Sequence, residues 1–95
     1  MSRDEILQEI ATHRDELRAL HVRELALFGS HARGDAMPSS DLDFLVELDQ
    51  KTFDAYMSVK EYLESLFGKR VDLVLKSALK ARLRDTILRE AIRAA

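Results

Sequence analysis

Between Asp41 and Leu48 the chain alternates without a break: Leu42, Phe44, Val46 and Leu48 fall on one side, and Asp41, Asp43, Leu45 and Glu47 on the other. Successive side chains of a β-strand point to opposite faces, so this order demands a strand with one buried face. A helix would scatter the same four apolar residues around its circumference. The opposite face begins with two aspartates two residues apart, with Cα atoms about 6.6 Å from each other. Two bare carboxylates so close repel one another and resist burial unless a cation lies between them.

The flanking segments supply what such a strand must pack against. From Asp4 to Leu20, Ile6, Ile10, Leu17 and Leu20 form one helical stripe, with Leu7 alongside and His13 on the same stripe as a packing residue. Glu24 to Phe28 is a short apolar run ending at Gly29, the pattern of a buried strand. Gly29 to Ser40 holds two glycines and the only proline, and is expected to be a loop with room for one helical turn. Phe53, Tyr56, Met57, Lys60, Leu63 and Phe67 return to helical spacing, with Gly68 placed to end the helix. Val71, Leu73 and Leu75 predict a third strand with Asp72 on its other face, and Leu79, Leu83, Ile87, Leu88, Ala91 and Ile92 an amphipathic helix running to the C-terminus. The expected order is α-β-loop-β-α-β-α: an α/β (α+β) fold with a small three-stranded mixed sheet backed by helices on one face, in a single domain over residues 1–95.

Composition narrows the chemistry. The 95 residues contain no cysteine, which excludes disulfides, zinc–thiolate sites and thiol catalysis. No apolar run approaches the roughly 20 residues needed to cross a bilayer, and Met-Ser-Arg-Asp-Glu is not a signal peptide, so no membrane association and a cytoplasmic setting are expected. Net charge is −2, unevenly spread: residues 1–75 carry 9 basic and 15 acidic groups, residues 76–95 carry 6 and 2. The basic end reads first as a solvated helix face and second as an interaction tail; a dedicated nucleic-acid binder is not expected.

The chemistry-bearing residues cluster around the two predicted strands. Oxygen ligands such as Asp41 and Asp43 suit Mg²⁺ or Mn²⁺. If the second and third strands are neighbours, Asp72 joins them, and three carboxylates can hold divalent ions for an in-line phosphoryl displacement. Gly29-Ser30 ends the first strand where backbone N–H groups and a hydroxyl can approach phosphate oxygens. Arg33, three residues on, can fork onto a phosphate. Each piece alone is a common structural feature; their combination in this order is the signal.

Gly29-Ser30, ten intervening residues, then Asp41-Leu42-Asp43 resembles the signature of the polymerase-β-like nucleotidyltransferase superfamily. The fuller form, Phe28-Gly-Ser-His-Ala-Arg-Gly34 followed by Ser40-Asp-Leu-Asp43, is similar to its minimal, MntA-type members, and the likeness extends through Asp72. That resemblance implies a nucleotidyltransferase fold, metal-bound catalytic Asp41, Asp43 and Asp72, nucleotide contacts from Gly29, Ser30, Arg33 and Ser40, and ATP with Mg²⁺ (or Mn²⁺). It implies an antitoxin that transfers AMP to a tyrosine of a HEPN ribonuclease toxin, in a hetero-oligomer. His31 is expected to be a filler, and Asp35 to sit in the variable part of the loop.

Two other readings stand beside this one. A catalytically idle module would neutralise a toxin by occlusion, yet would have no need of three clustered carboxylates. Transfer to a small-molecule hydroxyl, such as an aminoglycoside's, keeps the chemistry and changes the acceptor. In each catalytic reading the acceptor comes from outside, because 95 residues leave no room for an acceptor-binding domain.

Overall fold

The computed structural model describes residues 1–95. Helix α1 (Arg3–Thr12) opens with a reciprocal cap in which the Glu5 N–H donates to Ser2 Oγ (3.2 Å) and the Ser2 N–H to Glu5 Oε1 (2.9 Å). The single N-terminal helix expected from periodicity is interrupted at His13, and α2 (Arg14–Ala19) continues it. His13 Nδ1 lies 2.9 Å from the Glu9 carbonyl oxygen, and its ring meets Tyr62 edge-on at 6.4 Å. His13 is therefore a packing residue, and Ile6, Ile10 and Leu17 on either side of the break are fully buried.

Three strands follow the sequence pattern: β1 (Val22–Phe28), β2 (Leu42–Leu48) and β3 (Val71–Leu75), with the one-turn helix α3 (Ser30–Arg33) inside the first loop. Helix α4 (Phe53–Phe67) links β2 to β3, capped by Thr52 Oγ1 at its start and by Gly68 in the left-handed region (φ 62°) at its end. Its buried face is Ala55, Val59 and Leu63, whereas Phe53, counted in the expected stripe, is 75% exposed on the first turn. Strands β1 and β2 pair antiparallel, and β2 and β3 pair parallel. An irregularity between Val22 and Glu24 lets Val22 join Leu25 and Leu27 on the buried face.

One face of the sheet, formed by Leu25, Leu27, Leu42, Phe44, Val46, Val71 and Leu73, packs on α1, α2 and α4 in one contiguous core. Burial of this size supplies most of the favourable free energy of folding, at about 25 cal/mol per Å² of apolar surface. The fold class matches the expectation, with one difference at the C-terminus.

That difference is a fourth strand. After a 3₁₀ turn at Lys76–Ala78, helix α5 (Ala81–Glu90) stops at Glu90, and Ile92–Arg93 forms β4 against the free edge of β1, giving the order β3-β2-β1-β4. Ile92 falls four residues after Leu88, so it fits a helical stripe; what turns it into a strand is the unpaired edge of β1. Nor does α5 join the other helices. No residue of α5 is buried, and Leu83 is 50% exposed. Leu88 and the following Ala91 border a cavity with Ala26 and Leu45, on the sheet face opposite the main core. No helix is long and apolar enough to cross a membrane.

Candidate active site

The face that α5 partly covers is the one that carries the aspartates. Register partners across the sheet share a face, which places Phe28, Asp43 and Asp72 in one row and Ala26, Leu45 and Val74 in the next. Asp43 and Asp72 sit directly beside each other on neighbouring parallel strands, the condition on which the sequence reading let Asp72 join the pair. Asp41 lies one residue ahead of β2 and is exposed, as is Asp72 on the outer strand, while Asp43 is half-buried.

Asp43 carries the electrostatic load. Burial, then the charges of Asp72 and Asp41, push its carboxyl from 3.8 up to about 6, and Arg33 opposes them. Burial is the larger cause and the neighbouring carboxylates the second. The three do not close into a ready-made cluster of metal ligands. A hard divalent cation is the partner that this all-oxygen donor set fits.

Gly29 supplies the second half of the geometry. Its φ of 75° is one that residues with a Cβ rarely adopt. A Cβ built there would collide with Asp43 Oδ2 and lie 3.0 Å from the carboxyl carbon. Glycine is thus required twice over, for the turn out of β1 and for the approach of backbone to carboxylate. The turn then closes as α3: the Arg33 N–H donates to the Gly29 carbonyl (3.0 Å), and those of Gly34 and Asp35 to the Ser30 carbonyl (2.9 and 3.0 Å). Half-buried Ser30 therefore stands at the mouth of the turn.

Arg33 is exposed and held by two carboxylates. Its Nε donates to Asp35 Oδ2 (3.1 Å) and its Nη1 to Glu90 Oε2 (3.2 Å). The Asp35 hydrogen bond, with the charges of Asp35 and Glu90, raises the guanidinium pKa further. Ser40 serves the loop: its Oγ accepts from the Met37 N–H (2.9 Å) and its own N–H donates to the Met37 carbonyl (2.9 Å), closing the turn that delivers Asp41. His31 is the one buried polar residue, with Nδ1 unpartnered; burial, then the charge of Lys69, lowers its pKa and favours the neutral ring. Sequence reasoning missed Glu90, which no local pattern connects to a loop 57 residues earlier.

Two cavities lie further along the sheet. One, of about 320 Å³, is bordered by Glu47, Lys51, Lys76 and Arg84; the other, of about 230 Å³, by Leu45, Lys76 and Leu88. None of the seven candidate site residues lines either. The aspartate end is an open surface, and geometry and charge identify it where concavity does not.

A small mixed sheet with strand aspartates beside a glycine-opened turn is the arrangement that the resemblance to nucleotidyltransferases implies. The comparisons agree: the nucleotidyltransferase domain model matches residues 10–94. The protein adenylyltransferase MntA of Thermococcus cleftensis is 43% identical over 91 residues, covering 94% of this chain and 92% of that one. A solved structure provisionally described as a minimal nucleotidyltransferase superposes with a TM-score of 0.83 at 35% identity, over 97% of this chain and 95% of the other. The MNT antitoxin complex with the tri-AMPylated HEPN toxin of Shewanella oneidensis gives 0.66 at 19% identity, over 94% and 71%, a likeness of fold alone. This chain belongs to the nucleotidyltransferase domain family and is an enzyme of that kind.

Proposed function

We propose that this protein transfers AMP from ATP to a tyrosine hydroxyl of a partner HEPN-type toxin, and so acts as the antitoxin of a cytoplasmic pair. The observation that carries the chemistry is the in-register placement of Asp43 beside Asp72, with Gly29 backbone packed on the Asp43 carboxylate. The acceptor class is supported by the 43% identity to a protein adenylyltransferase. The partner class is suggested by the toxin complex that shares the fold.

In this reading Asp41, Asp43 and Asp72 hold Mg²⁺ or Mn²⁺. The bound ion supplies charge neutralisation for the phosphates and the leaving pyrophosphate. Ser30 and the Gly29 turn receive phosphate oxygens at close range, and Arg33 donates to a phosphate through the guanidinium hydrogens that its two carboxylates leave free. Ser40 acts through the turn it closes. Asp72, exposed on an outer strand, can be reached by an acceptor from solvent and takes the proton of the incoming phenol, whose free pKa near 10 leaves little phenolate at neutral pH. The open surface suits an acceptor presented by another protein.

Intact-mass spectrometry of the co-expressed partner after incubation with ATP and Mg²⁺ tests the reading. Adducts of AMP mass on the partner, lost with Asp72→Asn while the complex persists, are the expected result. A neutralised toxin without adduct would establish occlusion instead, and transfer only to a small-molecule hydroxyl would replace the protein acceptor.

A further inference from the structure

Arg33 is pulled from two sides. Asp35 belongs to the same loop and moves with it, but Glu90 comes from the far end of the chain. Packing of α5 does not set the position of Glu90, since nothing in that helix is buried. The strand that follows does. Ile92 pairs with Leu27 and Arg93 with Ala26, the Ala94 N–H donates to the Leu25 carbonyl (2.8 Å), and Ala94 is buried. The C-terminus is thus zipped onto β1 just before Gly29, and the residue preceding that zip by two is Glu90.

Arg33 also lies close enough to Asp43 for its charge to act on that carboxyl, against those of Asp72 and Asp41. An arginine that settled on Asp43 would occupy oxygens that a divalent ion needs. The 3.2 Å bond to Glu90 opposes that shift and leaves both Nη2 hydrogens unused.

We propose that Glu90 is a positioning residue: carried on the β4-anchored C-terminus, it holds Arg33 away from the aspartates and ready for a phosphate. The proposal rests on the metal-and-nucleotide reading of the site. The Arg33–Glu90 pair is partly exposed, so the effect is modest.

The test is a Mn²⁺ titration of the full chain followed by electron paramagnetic resonance, with the KM for ATP measured in parallel. It uses the wild type, Glu90→Gln, Arg33→Ala and the double variant, each checked for an unchanged circular-dichroism spectrum. Glu90→Gln is expected to weaken Mn²⁺ binding and raise the KM about three- to fivefold, with the loss in KM rather than kcat. In the Arg33→Ala background the same change should do nothing, because the residue through which it acts is gone. An equal loss of Mn²⁺ affinity in both backgrounds would show a direct charge effect and overturn the proposal. So would no loss in the wild-type background. A wild type that binds no Mn²⁺, or an Asp43→Asn variant that binds it as well as wild type, overturns the site reading itself and the Glu90 proposal with it.

Discussion

The same sheet face carries two regions built on opposite principles. At one end Asp43 and Asp72 project from strands whose reverse sides, at Leu42, Phe44, Val71 and Leu73, are packed into the core. At the other end α5 lies over Ala26 and Leu45 with no buried residue of its own. Rigidity at the aspartates is supplied from behind, by burial. Placement of the C-terminal segment is supplied from the side, by the β4 ladder and the Arg33–Glu90 pair. Chemistry that needs carboxylates held to fractions of an ångström sits on the first kind of support. The second kind can yield and re-form without unfolding the core.

The largest expected effect breaks function and leaves the scaffold intact. Asp43→Asn should lower AMP transfer about 10³-fold, the loss of several kcal/mol of transition-state stabilisation, while the metal-free protein melts higher than wild type at pH 7.5. Transfer at the wild-type rate would remove Asp43 from the chemistry. Next in size is the core behind it: Phe44→Ala should destabilise by about 3–5 kcal/mol in urea unfolding. A loss below 1 kcal/mol would mean that the sheet is not held by its buried face.

Gly29→Ala tests the junction between turn and carboxylate. Strain at positive φ together with the collision on Asp43 should lower stability by about 2–3 kcal/mol and abolish transfer. Gly34→Ala shares the positive φ and meets nothing within 4 Å, so about 1–2 kcal/mol is expected there. Equal losses at the two positions would contradict the close approach.

A smaller effect is read from pH. A carboxyl whose folded-state pKa is raised binds its proton more tightly in the folded chain than in the unfolded one. Its contribution to stability is full below about pH 4 and is lost as pH rises through about 6. At full weight the shift corresponds to about 3 kcal/mol, and partial exposure screens this to about 1–2 kcal/mol. Metal-free wild type should therefore lose stability relative to Asp43→Asn between pH 4 and 7, and added Mn²⁺ should restore it. A stability difference that stays flat with pH would show that Asp43 is not crowded. The smallest effect belongs to the tail: Leu83→Ala should change stability by no more than about 0.5 kcal/mol, and a loss above 1.5 kcal/mol would show that α5 is packed after all.

What the sequence determined by itself is whatever local spacing encodes. The alternation from Leu42 to Leu48 defined β2 and the face of its aspartates, Gly68 marked the end of α4, and the apolar triplet around Asp72 set that carboxylate outward. The order Gly29-Ser30, Arg33, Asp41-x-Asp43 singled out the candidate site for the same reason: its parts lie within one strand–loop–strand unit. Only the tertiary structure decided what depends on distant partners. The side of the sheet that α5 covers, the conversion of Ile92 from helical stripe to strand by the open edge of β1, the raised pKa of Asp43 and the reach of Glu90 to Arg33 all join residues far apart in the chain. Periodicity reports which face of an element is apolar; the element that will cover it, and the charge that will stand opposite, are settled only when the chain closes on itself.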